Sequence, residues 1–419
     1  MRNNLAAGLI AASFALAAPV LAQPSNSTEI AAIRAEIAAL SARLERLEQA
    51  SAVPAVTAAP AAPTASPTPS AAVAVAPQAT DARVAAAVPP NVRFSGDLRY
   101  RHESINEEGQ AERQRQRIRA RFGVTADVAE NVRVGLTLAT GGDDPVSANQ
   151  SLDTGFSRKP IGVDRAFFTW AATDELTFTG GKMANPFYRP GNHHLIYDND
   201  LNPEGLALRY ARGNWFANYA GLWVEERAAA DDSIMLGGQF GYRSTLNEGA
   251  RFTVGASYYD YLQTQGQTPF WNGDPTGNRV DVGGNYLNDF NLAELFGDLT
   301  FKPGERPVTV FADYVVNEAV DDLDTGFALG ASLGEVTRAG TWRVGYVYQE
   351  LRADAVIGTF TDSDWAGGGT DGKGHVVEFN YGFRDRLVFG FRYFMNDRGQ
   401  DVGNERDYNR MQADVQFNY

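Results

Sequence analysis

The last ten residues alternate without a break. Met411, Ala413, Val415, Phe417 and Tyr419 are apolar or aromatic, whereas Arg410, Gln412, Asp414, Gln416 and Asn418 are polar. A period of two puts each set on its own face of a β-strand and is incompatible with a helical stripe. Segment 91–101 repeats the pattern, with Val92, Phe94, Leu98 and Tyr100 opposed to Arg93, Ser95, Asp97, Arg99 and Arg101. Segment 340–350 does so again, with Trp342, Val344, Tyr346 and Tyr348 against Thr341, Arg343, Gly345 and Gln349. Similar runs lie near 113–125, 131–139, 163–172, 175–183, 205–211, 214–223, 233–244, 251–261, 293–302, 307–317, 325–334, 374–383 and 386–396.

The sixteen expected strands are joined by connectors that alternate in length. Long ones (102–112, 140–162, 184–204, 224–232, 262–292, 318–324, 351–373, 397–407) take turns with short ones (126–130, 173–174, 212–213, 245–250, 303–306, 335–339, 384–385). A soluble β-sandwich or propeller has no reason to alternate them. A transmembrane barrel does, because it has short turns at one end, long loops at the other, an apolar outer face and a polar lumen. Strands of about 9–11 residues match the tilted span of a bilayer. The predicted fold is therefore an all-β, antiparallel transmembrane barrel of about 16 strands over 91–419. Tyr100, Trp170, Trp223, Tyr261, Tyr393 and Tyr419 stand at strand ends, as interfacial girdle aromatics would.

The residues before 91 read differently. Residues 1–22 carry Arg2, an apolar stretch from Leu5 to Ala18 and a small-residue cleavage site ending at Ala22, the pattern of a secretory signal peptide. Within 23–50, Ile30, Ile33, Ile37, Leu40, Leu44 and Leu47 follow the 3-4 spacing of a short coiled coil, and isoleucine at both core positions favours three strands. Residues 51–90 hold 16 Ala and 8 Pro and no aromatic, which predicts a solvated linker with a reach on the order of 120 Å. Export places the expected coiled coil in the periplasm.

The stretches FSGDLRYR (94–101), GFSRKPIGVDRAFFTW (155–170), GGKMANPFYRP (180–190), DLNPEGLALRY (200–210) and the terminal QFNY (416–419) resemble bacterial outer-membrane porins. The likeness is to a porin family with a coiled coil ahead of the barrel. It implies passive permeation of small hydrophilic solutes across the outer membrane, contact with outer-membrane lipid and assembly as a homotrimer. The terminal aromatic looks like the signal read by the barrel-assembly machinery.

A barrel of about 16 strands leaves an aqueous channel, so inward residues carry function. The period of two turns Arg99, Arg101, Arg115, Arg117, Arg119, Arg121 and Arg133 inward, and Arg392 and Arg410 join them where the last strands close on the first. Across the barrel, Glu294, Asp298 and Asp313 point inward. In porins the third long loop narrows the lumen. Here that loop brings Tyr188, Arg189, His193, His194, Asp198, Asp200 and Glu204, predicting a basic wall opposite an acidic loop. Such a slot orders dipolar solutes and excludes bulky apolar ones. The bland alternative is that the arginines pair with carboxylates such as Asp97 or Asp414 and merely line the wall.

Other chemistries have little to stand on. An excess of 51 acidic over 37 basic residues, net −14, argues against nucleic-acid binding. With no Cys and only four His, neither a metal centre nor a nucleophilic enzyme is expected, and no cofactor is implied. His193-His194 lacks further spaced ligands, and GGG at 367–369 precedes no helix pattern, so it reads as loop flexibility. A structural alternative keeps the barrel but makes the coiled coil a tether that contacts the cell wall.

Overall fold

The computed structural model describes Pro89, residues 91–247 and residues 249–419. The expected signal peptide, coiled coil and all of the linker but Pro89 lie outside the described residues. From Val92 onward the chain is a single antiparallel sheet closed on itself. Its strands are β1 (Val92–Glu107), β2 (Arg113–Ala129), β3 (Val132–Thr140), β4 (Gln150–Ser151), β5 (Ile161–Ala171), β6 (Leu176–Lys182), β7 (Glu204–Arg212), β8 (Trp215–Glu225), β9 (Ser233–Asn247), β10 (Ala250–Leu262), β11 (Phe290–Phe301), β12 (Val308–Asn317), β13 (Thr325–Gly334), β14 (Trp342–Leu351), β15 (Gly372–Arg384), β16 (Leu387–Arg398) and β17 (Arg406–Asn418). The two-residue β4 is a patch on a loop. The other sixteen form the wall, as the alternation predicts.

Closure is made by β1 against β17, with Leu98 opposite Phe417, Arg99 opposite Gln416 and Tyr100 opposite Val415. Because the side-chain period is two, this register puts Phe94, Leu98, Tyr100, Val415 and Phe417 outside and Asp97, Arg99, Arg101, Glu103, Arg410 and Asp414 inside. Phe417 is 48% exposed and Tyr100 47%, while Arg101 and Arg410 are 2% exposed. Closure also removes the free strand edge, the one arrangement in which a sheet satisfies its backbone in hydrocarbon.

Two expectations need correction. Segment 102–107 reads as loop because it is polar, yet β1 runs on to Glu107, paired with both β17 and β2. Its polar inward residues are satisfied by ion pairs across the seam, so the strand needs no apolar alternation there. Tyr261 is no girdle residue. It is 2% exposed, faces inward and shares a hydrogen bond with the Tyr197 hydroxyl at 3.1 Å. Outward Trp170, Trp223, Tyr393 and Tyr419 are exposed as expected.

Strand lengths vary around the wall. β2 has 17 residues but β3 only nine. The upper part of β2 would lack a partner, and the loop after β3 folds back so that Gln150 and Ser151 pair with Ile118 and Arg117. The shortest wall strands are neighbours in this part of the barrel, with seven residues in β6 and nine in β3 and β7.

Candidate functional site

Three long connectors, 183–203, 263–289 and 352–371, turn into the barrel and not away from it. They are held to one another by backbone-directed bonds. The Asn278 side chain donates to the carbonyls of Ala353 and Val356, both at 2.8 Å, and accepts from the Gly358 N–H at 2.8 Å. The Thr370 N–H reaches the Thr276 carbonyl at 2.9 Å, and the Asp198 N–H reaches the Phe360 carbonyl at 2.8 Å. Satisfying these groups is what allows irregular backbone to be buried. Gly369, at φ +96°, lies so close to the Thr276 carbonyl that a Cβ would collide with it. The GGG stretch is thus a close-approach site, and the expectation of simple loop flexibility is corrected.

The joined loops present apolar side chains to an unusually apolar part of the inner wall. Phe187 and Tyr197 meet Tyr259 of β10 edge-on, with ring centroids 4.9 and 5.5 Å apart. Phe270, Ile357 and Trp365 join the same cluster with Leu292, Leu351 and Phe394 of the wall. Each such side chain withdrawn from water contributes roughly 1.5–3 kcal/mol. This part of the barrel interior is a dry core, where the sequence alone suggested an aqueous lumen throughout.

Loop 183–203 crosses to the far wall. The Tyr188 N–H donates to Gln239 of β9 at 2.7 Å, and its hydroxyl donates to Asp298 of β11. His193 shares a hydrogen bond with Gln349 of β14 at 2.5 Å, and His194 stands 3.8 Å from Asp362. Burial, and then the neighbouring His194, push the His193 imidazole down to about 4. Arg189 donates to Asn199 at 3.1 Å and to the Tyr197 carbonyl at 3.4 Å, stiffening the loop from within. Asp198 accepts from the N–H groups of Asp200 and Ser363 at 2.6 and 2.9 Å. Glu204 does not belong to the loop. The strand resumes there, and Glu204 pairs with Lys182 at 3.1 Å in register on the face that carries Leu206.

The arginines gather mostly on β1, β2 and β17, but few are free. Arg119 bonds Asp97 at 2.9 Å and Asp200 at 3.3 Å, and Arg121 reaches the same two carboxylates at 2.6 and 3.5 Å. Asp200 is buried, which would raise its pKa. Arg119, Arg121 and Arg99 outweigh that and hold it below the usual carboxylate range. Arg101 bonds Asp414 at 2.7 Å and Asp364 at 3.0 Å, Arg410 bonds Asp364 at 2.6 Å and Glu103 at 2.9 Å, and Arg115 bonds Glu103. Asp364 comes from loop 352–371, so the closure seam grips that loop by charge. Arg99 and Arg117 are different. Arg99 donates to the Asn149 amide oxygen at 2.6 Å and lies 4.0 Å from Asp414, while Arg117 reaches only the Asn149 carbonyl at 3.3 Å.

The remaining predicted positions are scattered. Arg133 sits at the short-turn rim with Asp127, 2.7 Å away. Arg392 lies 3.7 Å from Glu378. Glu294 is buried and accepts from the Tyr259 hydroxyl at 3.0 Å, and Asp313 is 4% exposed. The far-wall acids are therefore covered by loop 183–203, and its Asp200 is in contact with the basic wall instead of facing it across a gap. Among the described residues no group of three His, Cys, Asp or Glu side chains is arranged to hold a metal ion.

Residues 101–276 and 294–417 match the family model described as "Putative porin". The chain belongs to this porin family. Among solved structures, the porin is similar to Pseudomonas putida OprB in its high-pH structure, at 11% identity and a TM-score of 0.53, over 78% of this chain and 94% of that one. It also matches a mutant of Rh. blastica porin at 11% identity and a TM-score of 0.47, over 78% of this chain and 100% of that one. The likeness to OprB, at this identity, speaks to the barrel fold alone. A search of curated proteins found no match. Family membership makes the protein an outer-membrane porin. Sequence reasoning missed Asp362, Asp364 and Trp365 of loop 352–371, and Asn149 beside Arg99 and Arg117. The signal for the first three was a short apolar stretch, Ala353 to Ile357 and Trp365, inside an otherwise polar connector.

Proposed function

We propose that this porin passes small hydrophilic solutes and ions passively across the outer membrane, and that Arg99 and Arg117 set the charge preference of the passage. The observation that carries this reading is the contrast within the arginine cluster. Arg101, Arg119 and Arg410 are spent on buried carboxylates, whereas Arg99 and Arg117 have only an amide, a carbonyl and a distant Asp414. A guanidinium whose charge is only weakly compensated leaves a positive potential in a low-dielectric neck, which favours anions. Asp200 tempers that potential from the loop side. Planar-bilayer recording of the refolded porin tests both parts: a KCl conductance establishes the channel, and an anion-selective reversal potential establishes the role of the arginines. A cation-selective channel would overturn the second.

A homotrimer is the assembly this reading expects. The short strands β6 and β7 support it, since their outward Lys182–Glu204 ion pair is costly against lipid and tolerable against a second copy. The apolar heptads at 30–47 would bring three chains together on the periplasmic side, with the Pro/Ala segment as spacer. Cell-wall contact by that coiled coil is the accompanying tether role. Mass measurement of the detergent-solubilised porin with and without residues 23–90 checks the trimer and its dependence on the heptads.

A further inference from the structure

Below the docked loops a cavity of about 990 Å3 extends to the short-turn end of the barrel. Its two ends differ in chemistry. At the roof, under His193 and Trp365, the wall is apolar, built by Phe311, Val347, Val376 and Phe394. Toward the rim it carries Arg243, Arg251, Arg343 and Arg392.

The acids in the lining match these cations in number but do not pair with all of them. Glu378 is shared by Arg343 and Arg392, Asp298 accepts the Tyr188 hydroxyl, and Asp362 faces His194. Glu335 is the acid left at the rim. Neither Arg243 nor Arg251 has an ion pair among the described residues. Arg243 is instead spread over the ring faces of Phe216, at 4.6 Å, and Tyr188, at 5.7 Å, which fixes the guanidinium in place while leaving its charge unneutralised.

We propose that this cavity is a binding subsite for small aromatic carboxylates. The ring lies against Phe311, Val347 and Val376, and the carboxylate turns back to Arg251 and Arg243. Each half of the lining excludes a simpler ligand. An inorganic anion gains nothing from the apolar roof. A sugar would leave its hydroxyls unpaired there, which costs more than the buried area returns. An amphipathic anion satisfies both ends, and a charge-assisted guanidinium–carboxylate bond is the strong contact.

The proposal rests on the reading of the chain as a conducting channel, and the test separates the two. In planar bilayers the full chain is first recorded in KCl; absence of conductance defeats the channel reading itself. Benzoate, acetate and glucose are then titrated against the KCl current. The proposal expects saturable block by benzoate at a concentration about tenfold below that needed for acetate, and none by glucose. Equal potency of benzoate and acetate, or block by glucose without block by benzoate, overturns it. Arg251→Gln should raise the half-blocking benzoate concentration by about tenfold, with Arg251→Lys intermediate. Arg306, which lies over Trp342 outside the cavity, supplies the control. If Arg306→Gln weakens block as much as Arg251→Gln, general mouth electrostatics explain the effect and the subsite is refuted.

Discussion

The carboxylate of Asp364 lies 2.6 Å from the guanidinium of Arg410, two groups brought together from a long loop and the last strand. The same carboxylate takes a bond from Arg101 of the first strand at 3.0 Å. Burial alone would raise the Asp364 pKa; Arg410 and Arg101 outweigh it and keep the group ionised. One side chain therefore joins loop 352–371 to both sides of the barrel seam.

Removing that carboxylate should release the loop. Asp364→Ala leaves Arg101 and Arg410 buried with one partner fewer each, and loss of a partner from a buried ionic network costs about 3 kcal/mol or more. The expected result is a lower unfolding midpoint in detergent and a larger, noisier single-channel conductance. Wild-type values for both would mean that the apolar contacts hold the loop unaided.

Charge reversal at the free arginines should alter selectivity without dismantling the neck. Arg99→Glu with Arg117→Glu is expected to raise cation over anion permeability by about fivefold, the factor that roughly 1 kcal/mol of Coulomb energy carries. Arg119→Glu should behave differently. It would set a carboxylate between Asp97 and Asp200, and the predicted outcome is poor refolding, read by gel mobility before and after heating.

Loop 183–203 depends on a glycine. Gly191 adopts φ 59°, and a Cβ there would collide with the ring of Phe311. Gly191→Ala should unseat the loop at a cost of about 1–2 kcal/mol from the left-handed backbone alone, before the collision is counted. Adding Phe311→Ala should recover the collision part but not the backbone part, and a double-mutant cycle on unfolding free energy separates them.

Acid should loosen the same loop through His193. Its pKa falls from 6.5 to about 4 because burial, then His194, disfavour the imidazolium. A lowered histidine pKa contributes stability that is present above pH 6.5 and is lost as the pH falls toward 4. Asp198 acts in the opposite sense, since burial, Asp362 and Asp200 raise its pKa and protonation relieves it. The quantity to measure is therefore the difference between wild type and His193→Gln. Wild-type current noise should rise relative to the variant between pH 6.5 and 4; parallel curves would exclude His193.

The wall was legible because its information is local. In β17, Arg410, Gln412 and Asp414 against Met411, Ala413 and Val415 announce strand, face and register within six residues. The inward direction of the arginines followed from the same parity. Their partners did not, because Arg101 finds Asp414 from 313 positions away and Asp364 from 263. The dry core was hidden for a second reason. Tyr261 on a strand end and Val356 in a connector look like a girdle residue and a loop residue until the loops are known to fold inward. Glu204 misled because a loop that re-enters the wall part-way down ends where the ladder resumes, and no sequence signal marks that point.

The grip of Asp364 on β1 and β17 also fixes an order of assembly. Its docking site is divided between the two ends of the barrel sequence and does not exist until Arg101 and Arg410 stand side by side. An open sheet thus lacks this ionic anchor, and loop 352–371 gains its full hold only once the first strand has met the last.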